Sequence, residues 1–340
     1  MKNVASSLQE HELEDLGIFR IPIPIPFHQA GGPVNAYVIE EDQGILLFDA
    51  GIGTETAQSA LAEGLARTGH RFGDVTRIVL SHGHVDHFGA AAWVREQTGR
   101  AIPILIHSED AGKVLDSGIN LPALLKRNSR YLSMLGMPLS VLEEMIAVIS
   151  RESTLGRRLT DVIPLLPDET FRCKHVTLKV HYSPGHTPGL CCLYEPDHRL
   201  LFSADHLLEH VSPNPLIELG QEGEPSPFKP LVSYFKSVER ARALPVDLVL
   251  PGHATPFGAH IEVIDSLSAF YKRRQTKLLD TLEHGPLTVY ETMGRLFPSS
   301  SSFELFLMMS ETLGNLELLE DRGAIRRETD GGFIRFRLAA

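Results

Sequence analysis

The chain has 340 residues, 43% of them hydrophobic and 22% charged, which is enough apolar material for one large core and a smaller appended one. Its formal net charge of -11 argues against a general affinity for nucleic acid, which needs a clustered excess of Lys and Arg. No run approaches the roughly 18 uninterrupted apolar residues of a membrane span, and the polar opening MKNVASSLQEHELEDLG lacks a signal-peptide layout, so a cytoplasmic location away from membranes is expected.

Between Gly17 and Asp49 the apolar runs GIFRIPIPIPF, NAYVIE and GILLFDA, parted by GGP and EEDQG turn signals, read as successive strands. A helix from about Thr54 to Arg67 leads to the strand TRIVLS, then to SHGHVDHFG, and then to a helix from about Gly89 to Gln97. After the strand PILIH the segment from about Glu109 to Thr160 spaces its apolar residues at three and four and reads as a helical insertion. HVTLKVHYS, LCCLYE and RLLFSA are strands, each followed by a polar segment bearing His or Asp. The stretch SPNPLIELGQEGEPSPFKP reads as a long surface loop. A helix and the strand DLVL then deliver PGHATPFG, and Ile261 to Glu283 reads as one long helix. Beyond it lie helices and the runs AIRRET and GFIRFRL around DGG, a hairpin signal. The expected division is a catalytic domain over residues 1–260, with the insertion at about 109–160, and a small module over 261–340.

SHGHVDHFG places four potential ligands, His82, His84, Asp86 and His87, within six positions at a strand-to-helix turn. A lone His is usually a core or surface residue; this density points to metal. Imidazole and carboxylate donors suit zinc, iron or manganese, and the loop lacks the thiolates of a closed structural zinc site, so a catalytic site is expected. Three further turns follow strands: SPGHTPG around His186, FSAD ending at Asp205, and PGHATPFG around His253. Glycines beside His186 and His253 permit tight turns.

In this order the segments resemble the metallo-β-lactamase-fold superfamily, whose signature His-x-His-x-Asp-His stands complete at positions 82 to 87, over roughly Phe19 to Phe257. The resemblance implies an α/β fold, an αββα sandwich of two mixed sheets flanked by helices. It also implies two divalent ions, zinc first and manganese or iron as alternatives. His82, His84 and His186 would hold one, Asp86, His87 and His253 the other, and Asp205 would bridge them. Asp49 would orient ligands. Antibiotic-cleaving lactamases typically carry Cys where Asp205 stands, which disfavours β-lactam hydrolysis. Hydroxyacylglutathione hydrolases and lactamase-β-like endoribonucleases share the full ligand set. The latter also carry a C-terminal winged-helix-like module resembling this tail.

The expected activity is that of a binuclear metal-dependent hydrolase, with a metal-bridging hydroxide cleaving an ester, thioester or lactone of a small molecule and with Asp86 or Asp205 shuttling the proton. Cleavage of single-stranded RNA and a non-catalytic binding role for the tail are the alternatives. A small-molecule substrate is the expected partner, nucleic acid is disfavoured, and a homodimer is left open. His107, His181, His206 and His210 read as supporting or structural, Tyr194 as a core-packing tyrosine, and Lys272, Arg273 and Arg274 as a solvated basic face. Adjacent Cys191 and Cys192 read as buried thiols on opposite strand faces.

Overall fold

The computed structural model describes residues 10–26, 31–117, 121–151, 155–220, 226–297 and 304–339. After a short helix α1 (Glu10–Asp15) come β1 (Ile18–Ile23), β2 (Val34–Glu41) and β3 (Gly44–Phe48), the three strands expected there. Helix α2 (Glu55–Arg67), N-capped by Thr54, leads to β4 (Val75–Val79), α3 (Val85–Phe88), α4 (Ala91–Gln97) and β5 (Ile104–Ile106). The insertion comprises α5 (Ser108–Gly112), a π-helical turn at Lys113–Ser117, α6 (Leu121–Arg127), α7 (Ser129–Met134) and α8 (Leu139–Arg151). Strands β6 (Ile163–Pro164), β7 (Thr170–Arg172), β8 (Thr177–Tyr182), β9 (Cys191–Glu195) and β10 (Leu200–Ala204) follow, then α9 (Pro230–Arg242), β11 (Leu248–Pro251) and α10 (His260–Leu282). The chain closes with β12 (Leu287–Thr288), α11 (Val289–Leu296), α12 (Leu305–Asp321), β13 (Ile325–Asp330) and β14 (Phe333–Leu338).

Two mixed sheets form the body. One runs β1-β2-β3-β4-β5-β6, antiparallel from β1 to β3 and parallel from β3 to β6. The other runs β11-β10-β9-β8-β7, with β10 and β11 parallel. Their inner faces interlock through residues such as Tyr37, Phe48 and Val79 from the first sheet and Leu193, Phe202 and Leu250 from the second. Tyr37 meets Phe202 edge-on at 5.2 Å. On the outer faces, α2 and α4 cover the first sheet through Leu61, Leu65 and Val94, while α9 and α10 cover the second through Leu231, Val238 and Ile264. The layers are therefore αββα. Cys191 faces the inner core and Cys192 the outer one, both buried and free, as strand alternation requires.

Two expectations change. The stretch after Ser212 is not a surface loop over its described part: Pro213, Pro215, Ile217 and Leu219 are buried in alternation with partly exposed neighbours. Its second half includes 221–225, which lie outside the described residues. The reason is packing, because Ile217 and Leu219 enter a core built jointly by the insertion (Leu125, Leu132, Met145) and the tail (Leu278, Met309, Phe336). The tail, with its sheet in the order β12-β14-β13, thus completes its core with residues from the insertion. Arg274 leaves the expected solvated face: its guanidinium sits over Phe297 at 4.6 Å and pairs with Glu311 at 2.7 Å, while Lys272 and Arg273 stay exposed. Among the described residues no helix is long and apolar enough to cross a membrane.

Candidate metal centre

The signature loop leaves β4 at Leu80 and turns straight into α3, one helical turn earlier than the periodicity suggests. His84 occupies the extended N-cap position, and α3 then carries Asp86 and His87. His186 follows β8, Asp205 follows β10 and His253 follows β11, so every candidate side chain comes from a strand end or the turn after it. All seven predicted ligands converge. Ligand atoms of His82, His84 and His186 lie within 4.8 Å of one another, as do those of His82, His87 and Asp205, and those of Asp86, His87 and His253.

Asp205 lies between the groups. Its Oδ1 is 3.4 Å from His87 Nε2, and its Oδ2 is 3.4 Å from His186 Nε2 and 3.5 Å from His253 Nε2. Asp86 Oδ2 is 3.4 Å from His253 Nε2 and 3.9 Å from His87 Nε2. His84 Nδ1 is 2.9 Å from His186 Nε2.

Outer contacts fix which nitrogen faces inward. Asp49 Oδ2 accepts from His87 Nδ1 at 2.8 Å and from Ser81 Oγ at 2.8 Å, and its Oδ1 accepts from Ser81 N at 2.8 Å. With the Ser81 proton committed to Asp49, His82 Nδ1 donates to Ser81 Oγ at 2.9 Å. His186 Nδ1 donates to the Asn214 carbonyl at 3.0 Å. In each case Nε2 is the nitrogen turned toward the cluster.

A cation fits these residues. His82 Nε2, His87 Nε2 and Asp205 Oδ1 are buried without a hydrogen-bond partner, and such an orphaned group costs roughly 1–3 kcal/mol unless something satisfies it. Burial, with the neighbouring imidazoles, keeps His82 and His186 below their usual range and His84 down at about 3, which is the neutral, ligating form. Burial acts the same way on His253 and His87 but is outweighed: Asp205 and Asp86 push His253 up to about 10, and Asp205, Asp49 and Asp86 raise His87. Burial likewise opposes ionisation of Asp86 and Asp205, yet His87 and His253 hold both carboxyls below their usual range. Those two imidazolium charges stand where a metal would replace protons.

Close approach and backbone strain accompany this geometry. A Cβ at Gly252 would overlap Asp205 Oδ1. Asp49, Ala204 and Ala254 take φ of 61°, 45° and 62°, a left-handed region that costs a non-glycine residue about 1–3 kcal/mol. Each is a site residue or the immediate neighbour of one.

Sequence reasoning missed several supports. Asp110, fully buried, accepts from Gly83 N at 2.9 Å, Thr187 Oγ1 at 2.6 Å and Gly189 N at 3.1 Å, and so joins the His82–His84 and His186 loops. Its charge is met by Lys113 at 3.1 Å, which also pairs with Glu218 at 2.5 Å. Asn35 Nδ2 donates to the carbonyls of Pro251 at 2.9 Å and Ala254 at 3.0 Å, gripping the His253 loop. The available signal was positional, since Ser81 and Asp110, like the candidate ligands, follow strand ends.

The weighed bystanders stay outside the cluster. His107 stacks on Tyr182 at 4.4 Å, His181 meets Ser183 Oγ at 3.0 Å, and His206 lies edge-on to Tyr234 at 5.4 Å. The Tyr194 hydroxyl donates to Pro245 O at 2.7 Å. His210 is the exception in position: with Leu208, Glu209, Val211 and Thr255 it lines a shallow cleft that reaches His253.

The chain is 27% identical to the probable metallo-hydrolase YqjP of Bacillus subtilis over 94% of its own length and 97% of that protein's. It is also 27% identical to the acyl-coenzyme A thioesterase MBLAC2 of Gallus gallus, over 68% of this chain and 76% of that one. Its fold matches the crystal structure of a metallo-beta-lactamase family protein from Thermus thermophilus with a TM-score of 0.77 at 27% identity, covering 95% of this chain and 98% of that one. The family model of the metallo-beta-lactamase superfamily matches residues 30–253, and the chain belongs to that superfamily.

Proposed function

We propose that the protein is a hydrolase holding two divalent metal ions and cleaving an ester, thioester or lactone bond of a small molecule. The observation that carries this reading is the place of Asp205, whose two oxygens lie 3.4 Å from His87 and 3.4 Å from His186, one in each half of the cluster. His82, His84 and His186 would hold one ion, Asp86, His87 and His253 the other, and Asp205 would be shared. Zinc is the favoured occupant of such a nitrogen and oxygen set, with manganese and iron compatible. When bound, the ions supply Lewis acidity toward the scissile carbonyl and bring the pKa of a water down to about 7.

The chain's own residues supply the rest. Asp49, Ser81 and Asn214 keep imidazole Nε2 atoms turned inward. Asp86, the more exposed of the two inner carboxylates at 15%, would take the proton of the attacking water and pass it to the departing oxygen or sulfur. In the net reaction water adds across the acyl bond, one oxygen staying on the acyl carbon and one proton leaving with the alcohol or thiol. The shallow cleft beside His253 would give the substrate its approach. The name of the similar chicken protein favours the thioester branch.

The element order α10-β12-α11-α12-β13-β14 supports a winged-helix-like reading of the tail. We read it as structural, because its Arg274, Arg327 and Arg335 are all paired with carboxylates.

The test is elemental analysis of the purified protein, paired with turnover of acyl esters, thioesters, lactones and single-stranded RNA before and after chelation. About two ions per chain and chelator-sensitive acyl hydrolysis indifferent to salt are expected. A metal-free protein without turnover would refute the reading, and salt-sensitive RNA cleavage would move it to the nuclease branch.

A further inference from the structure

The hydrogen bond that fixes the His186 ring comes from a distant part of the chain. Its acceptor, the Asn214 carbonyl, sits in the strap formed by residues 212–219, and the strap is fastened to the C-terminal helices. Pro213 O accepts from the Tyr271 hydroxyl of α10 at 2.8 Å. Asn214 Nδ2 donates to Leu307 O of α12 at 3.2 Å, and Ile217 N donates to Ser310 Oγ of α12 at 3.1 Å. Pro215 crosses α12 at Gly314, where an added Cβ would come within 3.0 Å of its ring. The other half of the cluster is held differently: Asp49 orients His87, and Asn35 grips the His253 loop, both from the first sheet.

We infer that the C-terminal module is a positioning element of the metal centre: α10 and α12 fix the strap, and the strap's Asn214 carbonyl sets the tautomer and rotation of His186. This rests on the reading of His186 as a metal ligand. The hydrogen bond keeps the Nδ1 proton in place and the Nε2 lone pair turned toward Asp205 and His84. Loss of such an outer contact typically weakens metal binding about 10- to 100-fold. The consequence is one-sided. The ion held by His82, His84 and His186 depends on the tail, whereas the ion held by Asp86, His87 and His253 does not.

The experiment titrates Co²⁺ into the full-length, metal-free protein, following heat and visible absorption rather than turnover. Two routes disturb the strap without touching a ligand: the double variant Tyr271→Phe with Ser310→Ala, which removes two fastenings, and Gly314→Val, which pushes Pro215. Glu311→Gln serves as control, since it strips Arg274 of its partner on the same helix and leaves the strap contacts alone. Two binding phases are expected in the parent protein. Both strap variants should weaken one phase about tenfold and leave the other in place, while the control keeps both. Phases that move together, no shift in either strap variant, or the same one-sided loss in the control would overturn the inference. A parent protein that takes up fewer than two Co²⁺ would refute the underlying reading before any variant is made.

Discussion

Asp110 Oδ2 accepts a 2.6 Å hydrogen bond from Thr187 Oγ1, the residue after His186, and the same oxygen accepts from Gly83 N between His82 and His84. One buried carboxylate thereby sets the distance between two loops from different sheets that bear candidate ligands. Replacing it with Asn keeps the size, removes the charge that answers Lys113, and turns one acceptor into a donor facing another donor. Removing one partner of a buried ion pair typically costs about 3–5 kcal/mol. Asp110→Asn should lower the urea midpoint of the metal-free protein and weaken metal uptake as well. Unchanged values of both would show that the loops hold their spacing without it.

Much of the site was legible because ligation chemistry concentrates scarce residue types. Four donors in six positions at 82 to 87, and His186, Asp205 and His253 each on a turn after a strand, need no knowledge of packing. Asp110, Asn35 and Asn214 were not legible in the same way, because their roles come through main-chain atoms and partners far along the chain: Asp110 and Asn35 hold the main chain of Gly83 and Gly189 and of Pro251 and Ala254, and Asn214 offers its own carbonyl to the His186 ring. The strap failed as a surface loop for a related reason. Its Pro and Gly content marks irregular backbone correctly but does not say what covers that backbone, and here α10 and α12 do. The strands were readable from alternation and turn signals, whereas the core shared by Leu132 of the insertion and Met309 of the tail has no local signature.

Asp205 and Asp49 should differ in kind. Asp205→Ala removes the atom pair between the two halves of the cluster, so metal content and turnover should fall together, turnover by at least about a hundredfold. Asp49→Asn leaves every proposed ligand in place but offers His87 Nδ1 an amide that can present its NH2. The expected loss is about 10- to 100-fold in metal affinity, with the fold retained. Equal effects from the two variants, measured by metal analysis and circular dichroism, would contradict separate roles.

The cleft beside His253 makes a prediction about substrate rather than metal. Val211 and His210 line it without belonging to the cluster. Val211→Trp should fill the space and raise KM about tenfold for bulky acyl substrates, with little change for small ones. His210→Ala should act on KM as well, with metal content unaltered. A fall in kcat alone, with KM unchanged, would mean that the substrate reaches the centre by another path.

Glu317 on α12 gives a pH dependence with a definite sign. Burial pushes its carboxyl from 4.5 up to about 7, against the opposing pull of Arg327, whose guanidinium lies 3.6 Å away and is already held by Glu320 at 2.5 Å. The folded pKa lies above the unfolded one, so folding favours the protonated form. That contribution is fully present below pH 4.5 and is lost as pH rises through about 7. A shift of this size corresponds to about 3 kcal/mol at most. Glu317→Gln, which resembles the protonated acid, should therefore match the parent protein at acidic pH and exceed it by about 1–3 kcal/mol above pH 8. Urea unfolding at both ends of that range checks the prediction. A variant less stable than the parent at pH 8 would show instead that the Arg327 pair outweighs the burial of the charge.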